Sequence, residues 1–133
     1  AGLIMLIVFL AVPALQRNSR NTQYKNDAAS LLAAATEYTN NHNGTLPTST
    51  TQGDVKLLAN TKSITNITVV TGTSGSNGAQ TPAFDTAILV TGKKCGAVSG
   101  TGYTTANSSA RAMVMIYAIE DSAGAVVPQC TES

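Results

Sequence analysis

The chain has 133 residues, a formal net charge of +1 from eight basic and seven acidic side chains, and a hydrophobic content of 43%. That content excludes a disordered chain, and the scattered charges leave no dense cationic stripe to hold nucleic acid as the main partner. With two Phe, four Tyr and no Trp, the core has to be built from Ala, Val, Leu, Ile and Met, which suits one modest domain helped by an added constraint.

Ala1 to Leu15 hold no charge, and Arg17 is the first charged residue. A helix that is apolar all round belongs in lipid or inside a larger core. At about 1.5 Å per residue the run reaches roughly 24 Å, slightly short of the ~20 residues that a bilayer core requires. A signal peptide is the competing reading. No basic stretch precedes the run, however, and no small-residue cleavage site follows it. Leu3, Ile4, Leu6, Ile7, Phe9, Leu10, Val12 and Leu15 are therefore expected to pack against lipid or sister copies. Gly2 is a weak point of this helix. Pro13 predicts a kink or a locally opened turn, or else the end of one helix and the start of another.

From Arg17 the pattern becomes one-sided. Tyr24, Ala28, Leu31, Leu32, Ala35 and Tyr38 recur at helical spacing and are expected to face a sheet. Arg17, Arg20, Lys25, Asp27 and Glu37 fall largely elsewhere. The three basic residues suit lipid headgroups, acidic groups on neighbouring copies, or a solvated face. Asn41-His42-Asn43-Gly44 is a stop signal, so the helix should end near Asn40. Three segments follow: a hydrophobic membrane or filament-core helix over 1–16, its amphipathic half over 17–40, and a globular head over 41–133.

In the head, Thr50 or Thr51 is placed to cap a short helix through Asp54, Val55, Leu57, Leu58 and Ala59. Ile64–Thr71 and Phe84–Thr91 read as strands, with exposed Gly/Ser/Asn-rich loops over 72–81 and 96–109. Arg111–Ile119 is the strongest strand signal. Ala112, Val114, Ile116 and Ala118 are expected to face the long helix, with Met113, Met115, Tyr117 and Ile119 on the other side. Apolar residues on both faces suggest a central strand, or one covered by neighbouring copies. Ala125–Val127 can pair back as a short arm that Pro128 keeps at an edge.

Cys95 and Cys130 are the two cysteines. They admit one intramolecular pairing, a disulfide outside the cytosol or two buried thiols within it. Their wide separation argues against a redox-active pair. His42, the one histidine, lies in a polar turn. No phosphate-binding, dinucleotide or zinc-hydrolase motif occurs. Neither Asp85 nor Asp121 belongs to a cluster of oxygen ligands for calcium. The reading is of a chain with no catalytic residue, cofactor or metal. Asn43, Asn66 and Asn107 each open an Asn-x-Ser/Thr triplet.

The run Ala1-Gly-Leu-Ile-Met-Leu-Ile-Val-Phe-Leu-Ala-Val-Pro-Ala-Leu-Gln, continuing into Arg17-Asn-Ser-Arg-Asn, resembles the latter part of a type IV pilin N-terminal helix. Gly2 and Pro13 match that family's glycine and helix-breaking proline, and Cys95 with Cys130 resembles its C-terminal disulfide. The specific signal covers about the first 40 residues. The resemblance implies an α+β fold, with a long kinked helix on a small antiparallel sheet. It lacks the family's methylated aromatic first residue and the nearby glutamate, so Ala1 is expected to lie inside the mature end. It further implies a cytoplasmic-membrane pool with a transmembrane helix, and extrusion by the pilus assembly machinery into a homopolymer on the cell surface. A surface or host-cell receptor would be a partner, and adhesion, twitching motility or DNA uptake the role. A minor pilin, a pseudopilin of type II secretion and a membrane-anchored adhesin are the alternatives.

Overall fold

A computed structural model describes residues 2–48, 50–59, 61, 63–71 and 78–132, with side chains from Arg17 onward except that of residue 52. One helix, α1 (Gly2–Asn41), dominates it and runs about 60 Å at 1.5 Å per residue. The helix continues past Pro13 instead of ending there. Its end follows from the stop signal. Asn43 takes a left-handed φ of 57°, and the Gly44 N–H reaches back to the Thr39 carbonyl at 2.8 Å. That is the six-to-one bond of a left-handed helix cap.

Among the described residues no helix is long and apolar enough to cross a membrane. This corrects the expected transmembrane helix, and with it the cytoplasmic-membrane pool. The physical reason is visible in the chain. Uncharged residues from Gly2 give out at Arg17, and Asn18, Ser19 and Arg20 follow at once.

Among the described residues six strands follow α2 (Gln52–Leu58): β1 (Asn66–Thr71), β2 (Thr86–Thr91), β3 (Lys93–Ser99), β4 (Gly102–Asn107), β5 (Met113–Glu120) and β6 (Val126–Glu132). The main sheet has the order β1-β2-β5-β6, and β3-β4 forms a separate hairpin. The sheet is mixed and not wholly antiparallel as expected, because β1 runs parallel to β2. A parallel pair needs a long crossover. Part of this one, at Gln80, exchanges backbone hydrogen bonds with Tyr103 of β4 at 3.0 and 2.9 Å, so the crossover borders the hairpin. Pro128 lies on β6, an edge strand, where its missing N–H costs no ladder bond.

The layers are helix, main sheet and hairpin. Tyr24, Ala28, Leu31, Leu32, Ala34, Ala35 and Tyr38 of α1 share one core with Ile67 and Val69 of β1, Leu89 of β2 and Met113, Met115 and Tyr117 of β5. Ile88, Val90, Val114 and Ile116 form the opposite core, against Cys95, Tyr103 and Cys130. The expected phase of β5 is therefore reversed. Met113, Met115, Tyr117 and Ile119 meet the helix, and Val114 and Ile116 turn away. A strand apolar on both faces carries no phase in its alternation. The long side chains fill the room that the small Ala stripe of α1 leaves.

Residues 96–109, expected to be a loop, instead hold most of the hairpin. Gly96 is required there, since a Cβ would stand 2.8 Å from the Thr104 carbonyl oxygen. Gly100 supplies the turn with φ of 60°. In α2 the Thr51 hydroxyl does not cap the helix; it accepts the Thr48 N–H at 2.8 Å. Val55 is buried, whereas Leu57 is 85% exposed. The expected loop over 72–81 lies largely outside the described residues.

Candidate assembly surface

The first charged turn of α1 meets the head at the end of β5. The Arg20 guanidinium donates to Glu120 Oε2 at 2.8 Å, and Arg17 Nε stands 3.8 Å from the same oxygen. Asn21 clasps the Glu120 backbone from both sides, its Nδ2 donating to the carbonyl at 2.9 Å and its Oδ1 accepting the N–H at 2.8 Å. The Arg17 Nε–H is buried without a hydrogen-bond acceptor among the described residues. Both arginines thus meet an acidic group of their own head, not the lipid or neighbouring acids their position suggested. They fix the helix at the end of β5 where the uncharged segment begins.

About two turns further on, Asp27 corrects the expectation that it lies off the buried face. It is 2% exposed. Its Oδ2 accepts the N–H groups of Ser63 and Ile64 at 2.6 and 2.9 Å, and its Oδ1 accepts Gln23 Nε2 at 2.7 Å. These donors satisfy the hydrogen-bonding demand that a buried carboxyl group carries. It staples the lead into β1 onto α1. Tyr24 stacks on Phe84 at 5.8 Å between ring centroids. Burial raises its phenol above the usual range, Glu120 and Asp85 raise it further, and Arg20 works in the opposite direction. Burial alone raises the Tyr117 phenol.

The six helix-to-sheet residues named from the sequence, Tyr24, Ala28, Leu31, Leu32, Ala35 and Tyr38, are all buried at this seam. Cys95 and Cys130 are bonded, with Cα atoms 6.0 Å apart. The bond ties β3 of the hairpin to the edge strand β6. The side chains of Leu3, Ile4, Leu6, Ile7, Phe9, Leu10, Val12 and Leu15 lie outside those described, while their backbone is helical. Pro13 sits within the same uninterrupted helix. Asn21, Asp27 and Glu120 were missed from the sequence. Each acts through a residue far along the chain, and no local spacing signals that.

Chemistry elsewhere is sparse. Among the described residues no group of three His, Cys, Asp or Glu could hold a metal ion. His42 stacks on Tyr38 at 3.9 Å, and its Nδ1 lies 2.8 Å from the Tyr38 carbonyl. A cavity of about 420 Å³ opens between Pro47, Thr91, Lys93, Asn107 and Ser108. A second of about 340 Å³, sharing Lys93 and Ser108, is bordered by Arg111 and Glu132. The front of α1, before Arg17, holds no charge. No protein-family model, curated protein or solved structure matches the chain.

Proposed function

We propose that the chain is a structural, non-enzymatic subunit of a pilin-like filament. In this reading α1 packs among α1 helices of identical copies, and the heads form the surface. One observation carries it. A single helix of 40 residues carries, before Arg17, a stretch that holds no charge. Burying such a segment against sister helices gains roughly 25 cal/mol per Å² of apolar surface removed from water. The Arg17–Arg20–Glu120 cluster and the Asn21 clasp hold that segment at a fixed angle to the head, which a regular polymer requires. The Ala-rich seam and the disulfide serve the same end by keeping the head rigid.

Electron cryo-microscopy of the assembled protein tests this reading. The expected result is a helical homopolymer with residues 2–16 at its axis and the β3–β4 hairpin outside. A polymer with the helices at its outer surface, or particles of single heads, would contradict it.

A further inference from the structure

We propose that Lys93 and Asn107 form an intramolecular isopeptide bond that closes the open end of the β3–β4 hairpin. The two residues are register partners at the base of the hairpin. Lys93 is 1% exposed although it follows a turn and precedes the exposed Lys94. Its Nζ donates to Asn107 Oδ1 at 2.6 Å. A carbonyl bond is about 1.23 Å long, so the Asn107 amide carbon lies within roughly 4 Å of Nζ, near the ~3–3.5 Å of a near-attack pair. Burial holds the amine in that one position.

The amine must shed a proton before it attacks. Glu132 borders the same cavity of about 340 Å³ as Lys93. Its Oε1 accepts the Cys95 N–H at 2.9 Å, which keeps the carboxylate beside the hairpin base. In the step, the Lys93 ammonium gives one proton to Glu132, and Nζ attacks Asn107 Cγ. The Nζ–Cγ bond forms as the Cγ–Nδ2 bond breaks, and a second Nζ proton passes to Nδ2. Ammonia leaves through the cavity and takes the proton from Glu132 as ammonium. One N–H remains on the new amide, and the balance requires no co-reactant. The bond also decides among the Asn-x-Ser/Thr triplets. It expels the Asn107 nitrogen that an N-linked sugar would use, leaving Asn43 and Asn66 for that role.

The crosslink complements the Cys95–Cys130 disulfide. One bond fastens the hairpin to β6, and the other locks its two strands together where the hairpin has little core of its own. It rests on hairpin geometry alone and stands or falls apart from the filament reading.

Intact-protein mass spectrometry under denaturing, non-reducing conditions tests it on the natural chain. The expected mass lies below that of the sequence by about 2 Da for the disulfide and a further ~17 Da for the ammonia lost. Proteolysis should yield a branched peptide joining the fragments with Lys93 and Asn107. Lys93→Arg and Asn107→Ala should each abolish the ~17 Da deficit, and Glu132→Gln should slow its appearance ~100-fold. A natural chain lighter by only ~2 Da, or a sugar on Asn107, would overturn the proposal without requiring any variant to fold.

Discussion

Two backbone N–H groups, those of Ser63 and Ile64, end on one carboxylate oxygen of Asp27. Asp27→Ala leaves both donors without that partner, one of them buried, and should cost roughly 3 kcal/mol in urea unfolding. Asp27→Asn keeps an acceptor and should cost about half as much. At the other joint the ranking is less obvious. Arg20 is half exposed, so Glu120→Gln should cost under about 1 kcal/mol. Asn21→Ala removes two bonds to backbone groups and should cost roughly 1–2 kcal/mol. A larger loss for Glu120→Gln than for Asn21→Ala would show that charge, not the amide clasp, holds the helix. The tyrosines give a pH dependence. Tyr24 and Tyr117 both have phenols raised above 10.0. A raised folded value favours the neutral form, so their stabilisation is complete below pH 10.0 and is lost as pH climbs through the folded values. Urea midpoints should stay level up to that point and then fall. The fall should be shallower in Tyr117→Phe. An equally steep fall in that variant would remove Tyr117 as a cause.

The elements were legible where one face is buried and the other is not. The stripe from Tyr24 to Tyr38 places α1 against the sheet because its polar residues mark the far side. β5 was legible as a strand but not in phase, since Met113–Ala118 is buried on both faces. The β3–β4 hairpin was illegible because its residues are small and polar and only Cys95 and Tyr103 reach a core. The parallel β1–β2 pair was hidden for a similar reason, its crossover being a Gly/Ser/Asn-rich segment with no pattern. A hairpin with so little core depends on covalent closure. Replacing Cys95 and Cys130 by Ser should lower stability by roughly 2–4 kcal/mol. Amide exchange should rise in β3, β4 and β6 before it rises in α1. Uniform exchange across the molecule would show the disulfide to act on the whole fold and not on the hairpin.

At the scale of the molecule, the head carries a helical segment of fifteen uncharged residues, 2–16, which the proposed filament would bury among copies. The joint at Arg17, Arg20, Asn21 and Glu120 ties α1 to the head where that segment ends. The sequence disclosed the segment through the absence of charge before Arg17, but not the joint, whose partners are about one hundred residues apart along the chain. The most direct test is sedimentation velocity of the intact chain in buffer without detergent, compared with Leu10→Arg. Copies sheltering one another's helices predict large, concentration-dependent species for the intact chain and a single slow species for the variant. An intact chain that sediments as one small, well-folded particle at every concentration would mean that the head covers its own front segment, and the filament reading would be wrong.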